Sequence, residues 1–302
     1  MYRSELITSG ERWTAFAESV AGRSHIATNR PNQDAVSLWP APGATSSAII
    51  LAISDGHGGE RYCRSEHGAH FAAEEAAAGL REFVETVHAS GVPASATLVD
   101  VALQRTCRRI LGQWRERVVE DVVRHPLSET EREHASDNAA MLYGATLVAC
   151  VIGDGYQCFL RVGDGDILSL DLDGNVRDVF GRDASSVANE TSSVAQCVAP
   201  IDPLGGTTTL GLAPNALRNV RHLFELRDVA PLKAILASTD GYSNSFASAS
   251  GFHQALLDFS ALATTAEGRV SLERNLSTWL TETSAEGSGD DVTLGLVVRL
   301  TE

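Results

Sequence analysis

Apolar residues fall along the chain in two regimes, short solid runs and longer stretches of helical spacing. Ile49-Ile50-Leu51-Ala52-Ile53 is a solid, partly β-branched run and predicts a strand buried on both faces. Ala234 to Thr239 and the closing stretch from Val292 to Leu300 have the same character. Gly144 to Ile152 and Tyr156 to Gly163 flank Asp154-Gly155 and predict a hairpin, and Asp173-Gly174 predicts a second one after Ile167 to Leu170. Trp13 to Val20 alternates as a first strand. Asn32 to Trp39 reads as a second, with Asp34 near its start, and Thr207 to Gly211 and Arg221 to Leu226 as weaker ones. Together they suggest a meander of antiparallel strands.

Helical spacing appears between these runs. From Glu60 to about Ala89 the apolar positions are Ala69, Ala72, Ala73, Ala76, Leu80, Phe83, Val84 and Val87. A second helix is predicted from about Ala96 to Val123, through Leu103, Ile110, Trp114 and Val118, and the two would pack together over one face of a sheet. Two shorter helices follow, one carrying Phe252, Leu256 and Phe259, the other Leu276, Trp279 and Leu280. His125 to Asn138 reads as a loop, and residues 181–206, rich in Ser, Ala, Asp and Gly, as a mobile surface segment.

Composition narrows the classes. At 302 residues the chain can fill one large domain spanning 1–302. Its net charge of −15 argues against a nucleic-acid or anionic-membrane surface. The 5 cysteines form no CxxC pair, so neither a disulfide framework nor a zinc site is expected, and a reducing compartment fits. Met1 to Leu6 lacks a signal-peptide core and no run reaches membrane-spanning length, so the expected location is cytoplasmic. Lys233 is the only lysine and lies in no glycine-rich loop, which excludes a P-loop or kinase-type phosphate cradle.

Candidate chemistry sits where the strands stop. Asp34, Asp55, Asp164, Asp240 and Asp290 all fall at or beside strand termini. One Asp-Gly at a strand end is a turn; several brought together would repel one another strongly. A hard divalent ion with oxygen ligands, Mg2+ or Mn2+, removes that cost, and a pair of them can generate hydroxide near neutral pH. His67, His70 and His88 lie on the first long helix and read as surface or core filler.

The blocks Asn32-Gln33-Asp34, Asp55-Gly56-His57-Gly58-Gly59, Gly144-Ala145-Thr146 leading to Gly163-Asp164-Gly165, Ser238-Thr239-Asp240-Gly241 and Gly289-Asp290-Asp291-Val292-Thr293 resemble the metal-dependent protein phosphatases of type 2C. They stand in that family's order and span nearly the whole chain. The resemblance implies an α+β fold, a four-layer α/β/β/α sandwich of two antiparallel sheets flanked by helices, with a dinuclear metal site at one end. It implies hydrolysis of phosphoserine or phosphothreonine by a metal-bridged water, on phosphorylated proteins made by a cognate Ser/Thr kinase. Asp55 would bridge two Mn2+ or Mg2+ ions with the Gly56 carbonyl as a further ligand. Asp34, Asp240 and Asp290 would complete the shells, and Asp164 with Asp240 would hold a third, weaker ion. His57 matches the general acid for the leaving alkoxide, and residues 181–206 match the flap beside the active site.

The chain also departs from that pattern. Asn29 stands where the family carries a phosphate-holding arginine, leaving Arg30, Arg23 and His25 as substitutes. The usual Gly-Asp-Ser-Arg reads Gly163-Asp164-Gly165-Asp166, and Asp291 replaces the usual Asn. The spelling resembles a divergent bacterial branch. The missing arginine motivates an alternative, a pseudophosphatase acting as a phosphoprotein- or kinase-binding regulatory module. A structural calcium protein fits less well, because no EF-hand spacing is present and His57 would have no task.

Overall fold

The strands of the protein pair into two antiparallel sheets, seen in a computed structural model that describes residues 1–8, 11–41, 46–90, 96–181, 192–204 and 211–300. One sheet has 6 strands in the order β1 (Tyr2–Thr8), β2 (Glu11–Val20), β11 (Val292–Leu300), β10 (Ala234–Ser238), β7 (Asp166–Leu170) and β8 (Val176–Asp178). The other has 5, in the order β3 (Ala35–Trp39), β4 (Ala48–Ser54), β5 (Leu147–Gly153), β6 (Tyr156–Val162) and β9 (Arg221–Leu226). Long helices α2 (Ser65–Ser90) and α3 (Ala96–Arg124) cover the five-stranded sheet, and α6 (Ala249–Thr264) and α7 (Ala266–Glu286) cover the six-stranded one. Short helices α1 (Arg23–Thr28), α4 (Glu129–Ala135) and α5 (Asp240–Ser243) lie in the connections. This is the four-layer α/β/β/α sandwich that the resemblance implied.

The solid apolar runs are explained by burial on both faces. In β4, Ile49, Leu51 and Ile53 point into the layer between the sheets, where they meet Trp13, Val148, Ile235 and Val297. Ile50 and Ala52 point the other way, onto Ala72, Leu80 and Trp114 of the covering helices. Period-2 alternation thus persists, but both faces need apolar side chains. Where the sheets approach most closely there is no room for a side chain: a Cβ on Gly295 would lie 2.3 Å from Leu51 Cδ2.

The register places the strand ends that matter together. Ala35 pairs with Ser54, Ile53 with Val148, and Leu147 with Val162, so β3, β4, β5 and β6 share one end. Ser238 pairs with both Leu294 and Asp166, which aligns β10, β11 and β7 at the corresponding end of the other sheet.

Four features differ from the sequence expectations. The single meander is split, because the chain leaves the five-stranded sheet after β6 and enters the six-stranded sheet at β7. Local turn chemistry predicts each hairpin, but β7's other neighbour besides β8 is β10, far along the chain, and no local pattern announces it. Strand β1, helix α1 and helix α4 form where no element was expected. Helix α4 had a legible signal, since Ser128 and Glu131 make a reciprocal capping box. Of the segment 181–206, residues 182–191 and 205–206 lie outside the described residues, as do 207–210 of the weak strand expected there.

Candidate metal centre

Each acid is delivered by a strand end. Asp34 immediately precedes β3, Asp55 and Gly56 follow β4, and Asp164 sits where the chain changes sheets. Asp240 follows β10 as the first residue of α5, and Asp290 lies two residues before β11. Asp55, Gly56, Asp164, Asp240 and Asp290 line one cleft of about 170 Å³ together with His25, Gln33, His57, Gly58, Thr146 and Asp291.

The loop carrying Asp55 is held by backbone bonds on both sides. Thr146 donates from its N–H to the Asp55 carbonyl at 2.8 Å, and its hydroxyl accepts from the Asp55 N–H at 3.1 Å. Gly56 N–H donates to the Gln33 carbonyl at 3.1 Å and His57 N–H to the Gly144 carbonyl at 3.0 Å. Glycine is required at 56 because a Cβ would come within 2.7 Å of the Gln33 oxygen and 2.8 Å of the Ser65 oxygen, both backbone atoms. The His57 ring stands edge-on to Tyr62, centroids 5.1 Å apart.

Asp34 is only 3% exposed and reaches between the sheets. Its Oδ2 accepts from the hydroxyls of Thr239, at the end of β10, and Thr293, on β11, each at 2.8 Å. Its Oδ1 is buried with no hydrogen-bond partner among the described residues. A buried carboxylate oxygen left without a donor is costly and calls for a cation or proton.

Burial first, and then the neighbouring acids, raise the pKa of Asp34, Asp55 and Asp240. Burial pushes the Asp34 carboxyl well above its ordinary range and Asp291 adds to it, while the two threonine hydroxyls oppose. Burial likewise raises Asp55 well above its ordinary range, followed by the fields of Asp34, Asp240 and Asp290. Asp240 is pushed up to about 6, first by burial and then by Asp164, and its side chain hydrogen-bonds to Asp55. Two carboxylates in such contact need a proton or a cation between them. Burial lowers the His57 pKa below its ordinary value, with Asp164 opposing.

As the side chains stand, no group of three or more His, Cys, Asp or Glu is placed to hold a metal ion, among the described residues. The donor set nevertheless fits a hard divalent cation: oxygen ligands throughout, an unpartnered buried oxygen on Asp34, and an Asp55–Asp240 contact that a cation would satisfy in place of a shared proton.

Of the three groups offered for phosphate, His25 lines the cleft. The Arg23 guanidinium instead donates to the Ala285 carbonyl at 3.3 Å, and Arg30 is exposed away from the lining. Among the described residues no arginine or lysine borders the cleft. Residues the sequence did not mark as candidates are Thr239 and Thr293, which orient Asp34, and Asp291, noted there only as a departure from the family's usual Asn. Asp291 is 4% exposed and clasps three segments: Oδ1 accepts from Gly22 N–H at 2.6 Å, and Oδ2 accepts from Gln33 N–H at 2.7 Å and lies 2.8 Å from His25 Nδ1. The threonines were legible, since both stand inside the quoted blocks on neighbouring strands.

The sequence profile described as "Protein phosphatase 2C" matches residues 21–281. No curated protein sequence matches the chain. Among solved structures, it is similar to the serine/threonine phosphatase PstP/Ppp of Mycobacterium tuberculosis, at 16% identity and TM-score 0.51, covering 96% of this chain and 99% of that one. The serine/threonine phosphatase of S. agalactiae superposes with TM-score 0.51 at 15% identity over 95% of this chain and 99% of that chain. PppA, described as a key regulatory component of the T6SS in Pseudomonas aeruginosa, gives TM-score 0.51 and 17% identity over 98% of this chain and 100% of its own. At such identities these likenesses establish the fold.

Proposed function

The chain belongs to the protein phosphatase 2C family, and on that premise we propose that it is a metal-dependent phosphoprotein phosphatase acting on phosphoserine and phosphothreonine. The observation that carries this reading is the meeting, in one cleft beside a histidine, of acids from the ends of strands in both sheets, with Asp34 acting on Asp55 and holding a buried oxygen that lacks a hydrogen-bond partner among the described residues. Two Mn2+ or Mg2+ ions would be held by Asp34, Asp55, the Gly56 carbonyl, Asp240 and Asp290, with Asp164 and Asp240 offering a weaker third site. Bound there, they would supply Lewis-acid charge at the phosphoryl group and lower the pKa of the attacking water.

The chain's own groups then have separate tasks. Thr239 and Thr293 hold one oxygen of Asp34 and leave the other without a hydrogen-bond partner among the described residues. The glycines at 56 and 58 let backbone approach the phosphate closely, and the Gly144 carbonyl and Tyr62 ring hold His57 at the rim. His57 donates a proton to the alkoxide oxygen leaving from serine or threonine. The natural substrates are phosphorylated proteins, those of a cognate Ser/Thr kinase.

Asn29 in place of the family's arginine, with no arginine or lysine in the cleft lining among the described residues, favours a second reading, a pseudophosphatase that binds phosphoproteins or a kinase without turnover. Hydrolysis of p-nitrophenyl phosphate and a phosphothreonine peptide, with Mn2+ titrated in, separates the two. Wild type is expected to turn over both, and Asp55→Asn and Asp240→Asn to lose about a hundredfold or more, at least the upper end of what removing an outer-shell partner does. Metal binding without turnover of either substrate would favour the second reading.

A further inference from the structure

His25 is the histidine on α1, 8% exposed, and its ring is held from one side. Nδ1 lies 2.8 Å from Asp291 Oδ2 and 3.1 Å from the Pro31 carbonyl oxygen. A carbonyl can only accept. The Asp291 carboxylate already receives two backbone N–H groups, one on each oxygen, from Gly22 and Gln33. Both neighbours therefore ask Nδ1 to carry a proton, and in the neutral ring that places the lone pair on Nε2. That nitrogen makes no hydrogen bond with the described residues. It lies on the cleft side, 4.0 Å from Asp290 Oδ1.

A lone pair facing a carboxylate is unfavourable unless something positive stands between them. Two donors bonded to one ion at about 2.1 Å each can be up to about 4.2 Å apart, so the observed separation is within a shared ion's reach. Metal-bound histidines almost always give their other N–H to a carboxylate or carbonyl, which fixes the tautomer and raises the basicity of the ligating nitrogen. His25 has both acceptors. We infer that His25 Nε2 is a direct ligand of the metal centre, sharing an ion with Asp290, and that Asp291 is its positioning residue. This inference rests on the metal-dependent reading above.

The assignment gives work to two features the all-oxygen set leaves idle. Asp291 acts as an anchor that aims His25, and α1, docked through Ser24 to the Gly289 carbonyl, carries the imidazole to the cleft. A nitrogen donor also shifts selectivity. Imidazole suits transition metals, whereas Mg2+ prefers oxygen, so this centre should favour Mn2+ over Mg2+ more than a carboxylate cage does.

The test is pulsed electron paramagnetic resonance of the full chain loaded with Mn2+, alongside calorimetric titration with Mn2+ and with Mg2+. The expected spectrum shows hyperfine coupling to a ligating nitrogen that shifts when histidine carries the heavy nitrogen isotope. That coupling should vanish in His25→Ala and persist in His57→Ala. His25→Ala should weaken Mn2+ about ten- to a hundredfold and Mg2+ less than about threefold, and Asp291→Asn should weaken Mn2+ about tenfold while keeping the coupling. Should His25→Ala fail to fold, His25→Gln and the isotope shift in wild type carry the same reading. Tight Mn2+ binding without nitrogen coupling, or with coupling unchanged in His25→Ala, overturns the inference and leaves the metal-dependent reading standing. Failure of wild type to bind Mn2+ at all overturns both.

Discussion

Asp240 shows how a single carboxyl links pH, metal and stability. Its pKa in the folded protein is pushed up to about 6 from an ordinary 3.8. A raised acid pKa means that the folded state holds the proton more tightly than the unfolded chain. The associated stability is fully present below the unfolded pKa and is lost as pH rises through the folded one. The chelated protein should therefore lose about 1–3 kcal/mol between about pH 4 and pH 7 from this group. A divalent cation offsets the repulsion, so the rise in Tm on adding Mn2+ should grow with pH over that window. Asp240→Asn should flatten the trend; a Tm gain independent of pH would contradict it. His57 yields a second residue-scale prediction. If it protonates the leaving oxygen, His57→Gln should slow phosphothreonine hydrolysis by about a hundredfold, the lower end of general-acid effects. p-Nitrophenyl phosphate, whose leaving group needs no proton, should be largely spared, and equal losses on both substrates would contradict the role.

At the scale of elements, the site depends on turns where backbone passes backbone. A Cβ on Gly241 would lie 2.1 Å from the Asp291 carbonyl oxygen, so the start of α5 can sit against the start of β11 only with glycine there. Gly241→Ala should cost about 3 kcal/mol, at the upper end of overpacking, and should abolish turnover by displacing Asp240. Ser128→Ala provides the contrast. It removes the α4 capping box at about 1 kcal/mol and should leave turnover unchanged, because α4 lines no part of the cleft. The long elements were legible because solid apolar runs and 3.6-residue spacing survive any tertiary context. Strand β1 and helix α1 were not. The six residues of α1 are too few for a periodic signal, and Gly22 gives no side-chain cap; the helix is held instead by Asp291 and Gly289, more than two hundred residues further along.

For the whole molecule, the candidate residues gather at one end of the sandwich. The larger cavity, about 660 Å³, is bordered by Glu11, Ser47, Asp154 and Arg227, at the opposite ends of the strands that deliver Asp55 and Asp164. It is lined by none of the candidate residues, so size alone does not single out the acid-lined cleft. The acidic blocks were readable one by one in the sequence, but their convergence depends on the change of sheet at Gly163-Asp164-Gly165 and on Thr239 and Thr293 reaching Asp34 across the layers. The change of sheet is not visible in local pattern, although both threonines stand inside legible blocks. Asp34 joins the two sheets at the centre, and the most direct measurement is phosphate release from a phosphothreonine peptide against Mn2+ concentration, for wild type and Asp34→Asn. The expected rate rises and saturates with Mn2+ in wild type and is about a hundredfold lower in the variant at any Mn2+ concentration. A rate independent of Mn2+, or equal in the two proteins, would contradict it.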